Sequence, residues 1–311
     1  MARSRRRVIS TTAAVLMGAS FGAPTDAADI EQTERLTYAA MLGGLHVADL
    51  LVTLDQSEAG YSSQLKVVSR GVVRWVENFS ADITGRGDFI ESSLQNGTQT
   101  LMPLPDRFHR QWTGGEYASE MIMNFHPDTR EAVVEERLFN PVTGEDLAQE
   151  DMPWNQDDRD DDDDDKPVPE DLRKNVLDPM GAFIAARRQI MAQGGAAGPA
   201  KNFRVPIYDG RRRYDIVGRT APVRSTNIKG EEVAVVPVTT VLEPVFGFRP
   251  RAQERMRDTD SRLYFSADGR FIPIQFMMAS DMFAAVINLE NDCSKNATPC
   301  ETFGQEPGAA P

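Results

Sequence analysis

The stretch Ile207-Tyr208-Asp209-Gly210-Arg211-Arg212-Arg213-Tyr214-Asp215-Ile216-Val217 decides the fold class. It places an Asp-Gly pair between two β-forming runs, and this pair is the strongest short signal for a β-hairpin. A second pair, Asp268-Gly269, separates the runs at residues 261–266 and 271–279 in the same way. Both segments therefore predict antiparallel strands joined by tight turns.

Short runs of β-forming residues continue on both sides of this hairpin. Glycine, asparagine and aspartate turns separate them, which is the pattern of an antiparallel meander. The other predicted strands cover residues 36–42, 45–54, 61–69, 72–79, 81–85, 89–95, 118–125, 131–139, 232–242 and 283–289. We expect a mainly β protein with one long, curved antiparallel sheet, either a half-barrel or a β-spiral.

One packed helix is predicted near residues 178–193. Asp178 is a good N-cap, Pro179 suits the first helical position, and Gly194-Gly195 suits the end. Apolar residues recur at three- and four-residue steps on one side; they are Met180, Phe183, Ile184, Ile190 and Met191. We expect this side to pack on the concave face of the sheet.

Residues 1–27 have the three parts of a secretory signal peptide. Residues 1–7 carry four arginines and no acid, residues 8–23 are small and apolar, and Thr25-Asp26-Ala27 offers a cleavage site. The start also resembles a twin-arginine export motif, but arginine-rich starts occur in general secretory signals, and we favour the general route. We expect a periplasmic protein with no membrane span in the mature chain.

The mature chain is predicted to form a single β-rich domain over residues 28–290. An acidic loop at about residues 145–169 interrupts it, and like charges in such a run favour disorder. The alternative, a calcium site, would need spaced carboxylates, a bending glycine and a closing bidentate acid, which the loop lacks. A flexible tail is expected at residues 291–311.

The two cysteines, Cys293 and Cys300, both lie in this tail. An oxidising compartment favours a disulfide between them, and their spacing is not that of a CxxC redox site. A loop this short removes little entropy from the unfolded chain, so the bond should contribute at most roughly 2 kcal/mol. We expect a local structural disulfide.

Charge and motifs exclude several classes of function. The net charge of −13 opposes the phosphate backbone, so we expect no nucleic-acid partner. The histidines, His46, His109 and His126, stand apart from other residues at metal-ligand spacing. Acidic residues are plentiful, but nothing in the sequence singles out a pair of carboxylates for acid–base catalysis. We expect no metal, no cofactor and no enzymatic activity.

Several motifs together resemble those of the exported proteobacterial family known as domain of unknown function 3108. The most specific lies at residues 205–215, and weaker ones lie at residues 36–47, 177–180, 244–248 and 268–273. The resemblance covers about residues 35–289. It implies a curled antiparallel sheet, similar to those of periplasmic lipoprotein carriers, and it supplies no activity.

The hairpin's arginine cluster, Arg211, Arg212 and Arg213, forms the candidate ligand site together with Tyr214. On a strand, Arg211 and Arg213 would share one face, and Arg212 and Tyr214 the other. These cations either pair with the aspartates beside them and with acids on neighbouring strands, or bind an anionic group such as a lipid phosphate.

Two functions from different classes follow. The first is a binding protein for a lipid or other amphiphile in the cell envelope, with an acyl chain on the concave face and the arginines at its rim. The second is a structural or interaction protein that contacts an envelope partner and has no small ligand. Fold analogy slightly favours the first. A sheet closed tightly over the helix would favour the second.

Overall fold

The computed structural model describes residues 32–76, 78–94, 97–147, 166–192, 201–279, 284–294 and 296–304. The predicted signal peptide, most of the predicted acidic loop and the expected helix end at Gly194-Gly195 lie outside these residues. Within them, the chain forms a 14-stranded sheet.

The elements are numbered in chain order. The strands of the first half are β1 (Gln32–Leu42), β2 (Leu45–Gln56), β3 (Gly60–Ser69), β4 (Ser80–Ser93), β5 (Gln99–Gly114), β6 (Tyr117–Phe125) and β7 (Ala132–Phe139). Those of the second half are β8 (Asn202–Tyr208), β9 (Arg213–Thr220), β10 (Arg224–Ile228), β11 (Glu231–Phe246), β12 (Asp260–Ser266), β13 (Pro273–Ala279) and β14 (Ala284–Asp292). The helices are α1 (Gly71–Val76), α2 (Pro179–Ala192), α3 (Pro250–Asp258), α4 (Thr298–Glu301) and a 3₁₀ turn (Glu170–Arg173).

The sheet consists of two antiparallel halves joined at its centre. Its strand order is β7-β6-β5-β4-β3-β2-β1-β14-β13-β12-β11-β9-β8, and β10 pairs with β11 off this path. The pairing of β1 with β14 joins the halves. The prediction of a mainly β protein with one long, curved antiparallel sheet is confirmed.

The edge strands, β7 and β8, are linked by residues 174–177, which we call the seam. On one side, the amide of Asn175 donates to the carbonyl of Arg130, just before β7, at 3.1 Å. On the other side, the amide of Leu177 donates to the carbonyl of Pro206 on β8 at 2.9 Å. The seam gives both edges hydrogen-bond partners, and the sheet becomes a nearly closed, barrel-like structure.

Helix α2 lies against the inside of this sheet and is buried on several sides. Its buried residues are Met180, Gly181, Ala182, Ile184, Ala185, Arg187, Gln189 and Ile190. Met180, Ile184 and Ile190 belong to three different core clusters, which include residues of β5, β2 and β12 respectively. Met191, which was expected on the packed side, is exposed. The helix therefore fills the space that the sheet encloses.

A buried ion pair fixes α2 to the central strand. The Arg187 guanidinium donates to both carboxylate oxygens of Glu34 on β1, at 2.5 and 2.7 Å. The two side chains are 7% and 4% exposed. Arg187 also donates to the carbonyl of Arg270 at 3.0 Å. Because a buried charge is costly without a partner, this pairing sets the position of the helix along β1.

The outer part of the β4–β5 hairpin also packs against α2. A bulge between Arg86 and Gly87 interrupts the pairing of the two strands. Beyond it, Phe89 packs against the core cluster that contains Ile184 of α2, and Met102 packs against the cluster that contains Ala182. We call this part of the hairpin, residues 87–94 and 97–105, the arm.

The structure differs from the prediction at residues 72–79, where a helix replaces most of the expected strand. Gly71 has φ +58°, in the left-handed region that favours glycine. The chain turns there, and α1 packs against β2. The β-branched residues Val72 and Val73 favour a strand, and the turn overrides this preference. Helix α3 was not predicted either. No helix of the described residues is long and apolar enough to cross a membrane.

Residues 291–304, where described, pack against the sheet, although a flexible tail was expected. Cys293 and Cys300 form a disulfide, with their Cα atoms 6.2 Å apart. Both cysteines lie in a core cluster with Leu51 of β2, and Phe303 packs against it. The sequence shows the polar residues of this segment, but it does not show the apolar contact that holds it.

We predict that Gly87→Ala lowers the stability of the protein by about 2–3 kcal/mol, because overpacking a tight contact has a cost of this order. A Cβ atom at position 87 would overlap the carbonyl oxygen of Leu104 on β5. Urea denaturation would measure the loss. Glu91→Ala, at an exposed position of the same strand, is the control and should change stability little. Equal stabilities of the two variants would contradict the assigned close contact.

Candidate functional site

The predicted arginine site lies beside the seam, in the turn between β8 and β9. Strand β8 ends at Tyr208 and β9 begins at Arg213. The carboxylate of Asp209 accepts the backbone amides of Arg211 and Arg212 at 3.0 and 2.8 Å. The prediction that Arg211 and Arg213 share a strand face is wrong, because Arg211 belongs to the turn.

Arg211 connects this hairpin to the opposite edge of the sheet. Its guanidinium donates to Glu136 on β7 at 3.0 Å. The same carboxylate accepts hydrogen bonds from Arg110 and Ser119, each at 3.1 Å. The Glu136 side chain is 11% exposed and that of Arg211 is 46% exposed. Glu136 is thus a shared acceptor for side chains from both sides of the seam.

The other residues of the predicted site also have partners within the protein. Arg213 pairs with Asp215. Arg212 lies over the ring of Phe248 at 5.3 Å, and Tyr214 meets the same ring edge-on at 6.0 Å. These contacts match the first interpretation of the cluster, in which the arginines have counter-charges inside the protein, and they add an aromatic partner that the sequence did not indicate.

Gly210 is the residue that lets the hairpin approach β6 and β7. Its φ is +99°, and a Cβ atom there would overlap the sulfur of Met121. Val134 on β7 lies next to the same position. The Asp-Gly pair therefore both turns the chain and allows the turn to pack on the opposite edge of the sheet.

The seam gathers motifs that are far apart in the sequence: residues 177–180, the Asp-Gly-Arg turn, and Gly247 with Phe248. The sequence matches the family described as Protein of unknown function (DUF3108) over residues 35–286. The chain belongs to this family. In this DUF3108 protein the match runs from β1 into β14, so it includes nearly the whole sheet and the seam.

The DUF3108 chain is similar in fold to the crystal structure of a beta-barrel-like protein of domain of unknown function DUF1849 from Brucella abortus. The two are 11% identical, the alignment covers 83% of this chain and 96% of that chain, and the TM-score is 0.47. No curated protein matches the sequence.

Two recesses of the DUF3108 protein share a wall, and together we call them the end groove. The first has a volume of about 770 Å³ and lies beside the β2–β3 turn. The second, of about 200 Å³, lies between the arm, the β6–β7 turn and the seam. Asp88 and Asp106 line both. Other lining residues are Thr33, Asp55, Gln56, Tyr61 and Arg86 in the first, and Pro103, Phe125, His126, Arg130 and Asn175 in the second.

The carboxylates of the first recess differ in their partners. Asp106 pairs with Arg86 at 2.9 Å, and both side chains are largely exposed. Asp55 accepts a hydrogen bond from Thr33 at 2.6 Å. The carboxylate of Asp88 has no hydrogen-bond or ion-pair partner within the described part of the chain. The recess therefore has more negative than positive charge.

Two buried polar atoms beside the start of α2 have no hydrogen-bond partner among the described residues: the Tyr61 hydroxyl and Oδ2 of Asp178. Asp178 is fully buried, and its Oδ1 accepts the amides of Met180 and Gly181 at 2.8 and 3.0 Å, as the predicted N-cap of α2. A Cβ atom at Gly181 would lie 3.0 Å from Oδ2 and 3.1 Å from the hydroxyl. The two atoms therefore approach the same glycine.

Burial controls the titration of this pair. It raises the pKa of Asp178 to about 6, although the backbone hydrogen bonds to the carboxylate oppose the shift. Burial also raises the pKa of the Tyr61 hydroxyl, and the carboxylates of Asp178, Asp106 and Asp88 raise it further. The hydroxyl thus stays protonated at neutral pH, near three carboxylates. The sequence indicated Asp178 only as a helix cap and did not single out Tyr61.

No group of three or more metal-ligating residues converges within the described ranges. His46 contacts Asp49 at 2.7 Å, and His109 contacts Glu120 on the next strand at 2.9 Å. His126 accepts a backbone amide in the β6–β7 turn. The His46 side chain is 44% exposed.

We predict that Glu136→Gln lowers stability by about 1–2 kcal/mol, because it removes the charge from an acceptor with three donors. Arg211→Gln should lower it by about 0.5–1 kcal/mol, since this side chain is half-exposed. Chemical denaturation of both single variants and the double variant would measure the coupling. Arg137→Gln, which breaks the exposed pair with Asp146, is the matched control. Additive effects of the Glu136 and Arg211 variants would exclude an energetic contact across the seam.

We predict that Asp178→Asn alters the pH dependence of stability. The folded pKa of Asp178, about 6, is above its ordinary value of 3.8, so protonation of this carboxyl favours the folded state. Its contribution to the free energy of unfolding is complete below pH 3.8 and is lost as pH rises through about 6. Asparagine keeps the N-cap oxygen and does not titrate. When the pH falls from about 8 to about 4, the free energy of unfolding of the wild type should rise by about 2–3 kcal/mol relative to that of the variant. Parallel curves for the two proteins would disprove the assignment.

Proposed function

We propose that this protein is a non-enzymatic interaction protein of the cell envelope, acting in the periplasm, and that the inside of its sheet is a packed core and not a lipid site. The observation that carries this proposal is the position of α2, which occupies the concave face. The amphiphile-carrier hypothesis needs that face for an acyl chain.

The close packing of α2 makes its displacement from the concave face by a ligand unfavourable. Ala182, Ile184, Ala185 and Ile190 are each at most 1% exposed. An acyl chain would have to displace these side chains and also separate Arg187 from Glu34. Breaking a buried ion pair of this kind costs about 3–5 kcal/mol, in addition to the lost apolar contacts. A lipid would need to offset both losses.

The arginines give the carrier hypothesis little additional support. A phosphate that bound Arg211 and Arg213 would compete with Glu136 and Asp215, which pair with them within the chain. The end groove, in contrast, lies at the surface, and its Asp88 carboxylate has no partner within the described ranges. We therefore place the interaction with a partner there.

The periplasmic location is supported by two features. Residues 1–27 have the composition of a secretory signal peptide, and Cys293 and Cys300 form a disulfide, which an oxidising compartment favours. Fractionation of cells that express the full chain would test this location.

We predict that the mature chain, purified from a Gram-negative periplasm, carries no lipid. Native mass spectrometry with organic extraction should give the mass of the polypeptide alone, and incubation with phospholipid should add none, because α2 occupies the concave face. A bound lipid that is released on unfolding and reduced in the Arg211→Gln/Arg213→Gln variant would overturn the proposal in favour of the carrier. A photoreactive residue at position 106 should cross-link to a discrete envelope protein, whereas one at the exposed position 142 should not.

A further inference from the structure

We infer that one buried water molecule bridges the hydroxyl of Tyr61 on β3 and the carboxyl group of Asp178, the N-cap of α2. The two groups approach each other on the inner face of the sheet, beside Gly181. Asp178 follows the seam directly, so the water connects the seam and the start of α2 to β3. The bridge goes beyond the proposed function, because it lies inside the sheet and not on the surface that meets a partner.

Both groups are buried, and each has an atom without a partner. Tyr61 is 5% exposed and Asp178 is 0% exposed. Within the described ranges, the Tyr61 hydroxyl and Oδ2 of Asp178 make no hydrogen bond, to each other or to any other group. A buried polar atom without a partner costs free energy, and buried water molecules bind where such atoms come together. The pair therefore favours a bound water molecule.

Gly181, in the first turn of α2, shows where the water lies. A Cβ atom at this position would be 3.0 Å from Oδ2 of Asp178 and 3.1 Å from the Tyr61 hydroxyl. Both distances are close to those of hydrogen bonds, so one water molecule near this point reaches both oxygens. It donates a hydrogen to the carboxylate and accepts the hydrogen of the phenol, which satisfies both buried atoms.

Two glycines leave room around the carboxyl group. A Cβ atom at Gly85 on β4 would be 3.1 Å from Oδ1 of Asp178 and 3.1 Å from the Ser63 hydroxyl. Neither Gly85 nor Gly181 has a positive φ, so the backbone itself does not require glycine at either position. Glycine weakens strands and helices. We therefore attribute both glycines to the polar site that they border.

The titration of Asp178 favours water over a metal ion as the bound species. Burial raises the pKa of this carboxyl group to about 6, so both of its forms occur at mildly acidic pH. Water donates to the ionised carboxylate and accepts from the protonated carboxyl, so the bridge persists in both forms. A metal ion such as Ca²⁺ needs about six to eight oxygen ligands, and no group of three metal-ligating residues converges in the described part of the chain.

The first test is a high-resolution crystal structure of the mature chain. We expect one ordered water molecule at about 2.5–3.0 Å from both the Tyr61 hydroxyl and Oδ2 of Asp178. A direct hydrogen bond between the two side chains, a space without density, or an ion with more than three protein ligands would each overturn the inference.

The second test is the thermal unfolding of Tyr61→Phe, which keeps the ring and removes the hydroxyl. A hydroxyl that bonds to a bound water stabilises the fold, so the variant should lower Tm by about 2–4 °C. A hydroxyl without any partner would be costly, and its removal would raise Tm. Tyr38→Phe is the matched control, since the Tyr38 hydroxyl donates directly to the carbonyl of Pro273 at 3.1 Å, and it should lower Tm similarly.

An unchanged or raised Tm of Tyr61→Phe, with a lowered Tm of Tyr38→Phe, would contradict the water bridge. Neither test involves a binding partner or a lipid. Failure of the proposed function would therefore leave both results unchanged.

Discussion

The fold depends on covering the inner face of one long sheet. A curved sheet of this size has an apolar concave surface, which must be buried against another element, and α2 does this from within. The ion pair between Arg187 and Glu34 fixes the helix against β1, where the two halves of the sheet meet. The seam leads directly into Asp178, the N-cap of α2. The same segment therefore joins the sheet edges and starts the helix that fills the interior.

The organisation of the seam explains why several motifs of the chain occur together. Leu177 bonds to β8, Gly210 allows the hairpin to pack on β6 and β7, and Arg211 reaches Glu136. Gly247 lies against the backbone of the same turn, where a Cβ atom would be 2.9 Å from the carbonyl oxygen of Arg211. The arginine-rich segment thus belongs mainly to the closure of the sheet. The end groove, formed by the arm and the strand ends, lies apart from this closure and contains the Asp88 carboxylate, which has no partner among the described residues.

The sequence was sufficient for features set by local chemistry. The Asp-Gly hairpin, the N-cap at Asp178 and the pairing of the two cysteines each follow from neighbouring residues. It was insufficient where distant contacts decide the outcome. Gly71 turns the chain into a helix where valines favour a strand, and the polar tail is held by Leu51. Likewise, nothing in the sequence marks the residues that line the first recess, among them Tyr61, Asp88 and Asp106. They come together only through the pairing of separate strands and the bulge in β4.

The pairing of the first described strand with the last has a consequence for how the chain reaches its fold. Asn291 donates a side-chain hydrogen bond to Thr37 across 254 positions of sequence. Contacts of such long range form slowly, because a large loop must close before they contribute stability. In a chain synthesised from its N-terminus, one edge of β1 therefore stays unpaired until β14 has been made. An unpaired edge is a template for wrong association, so the interval before closure is when this protein is most vulnerable to aggregation.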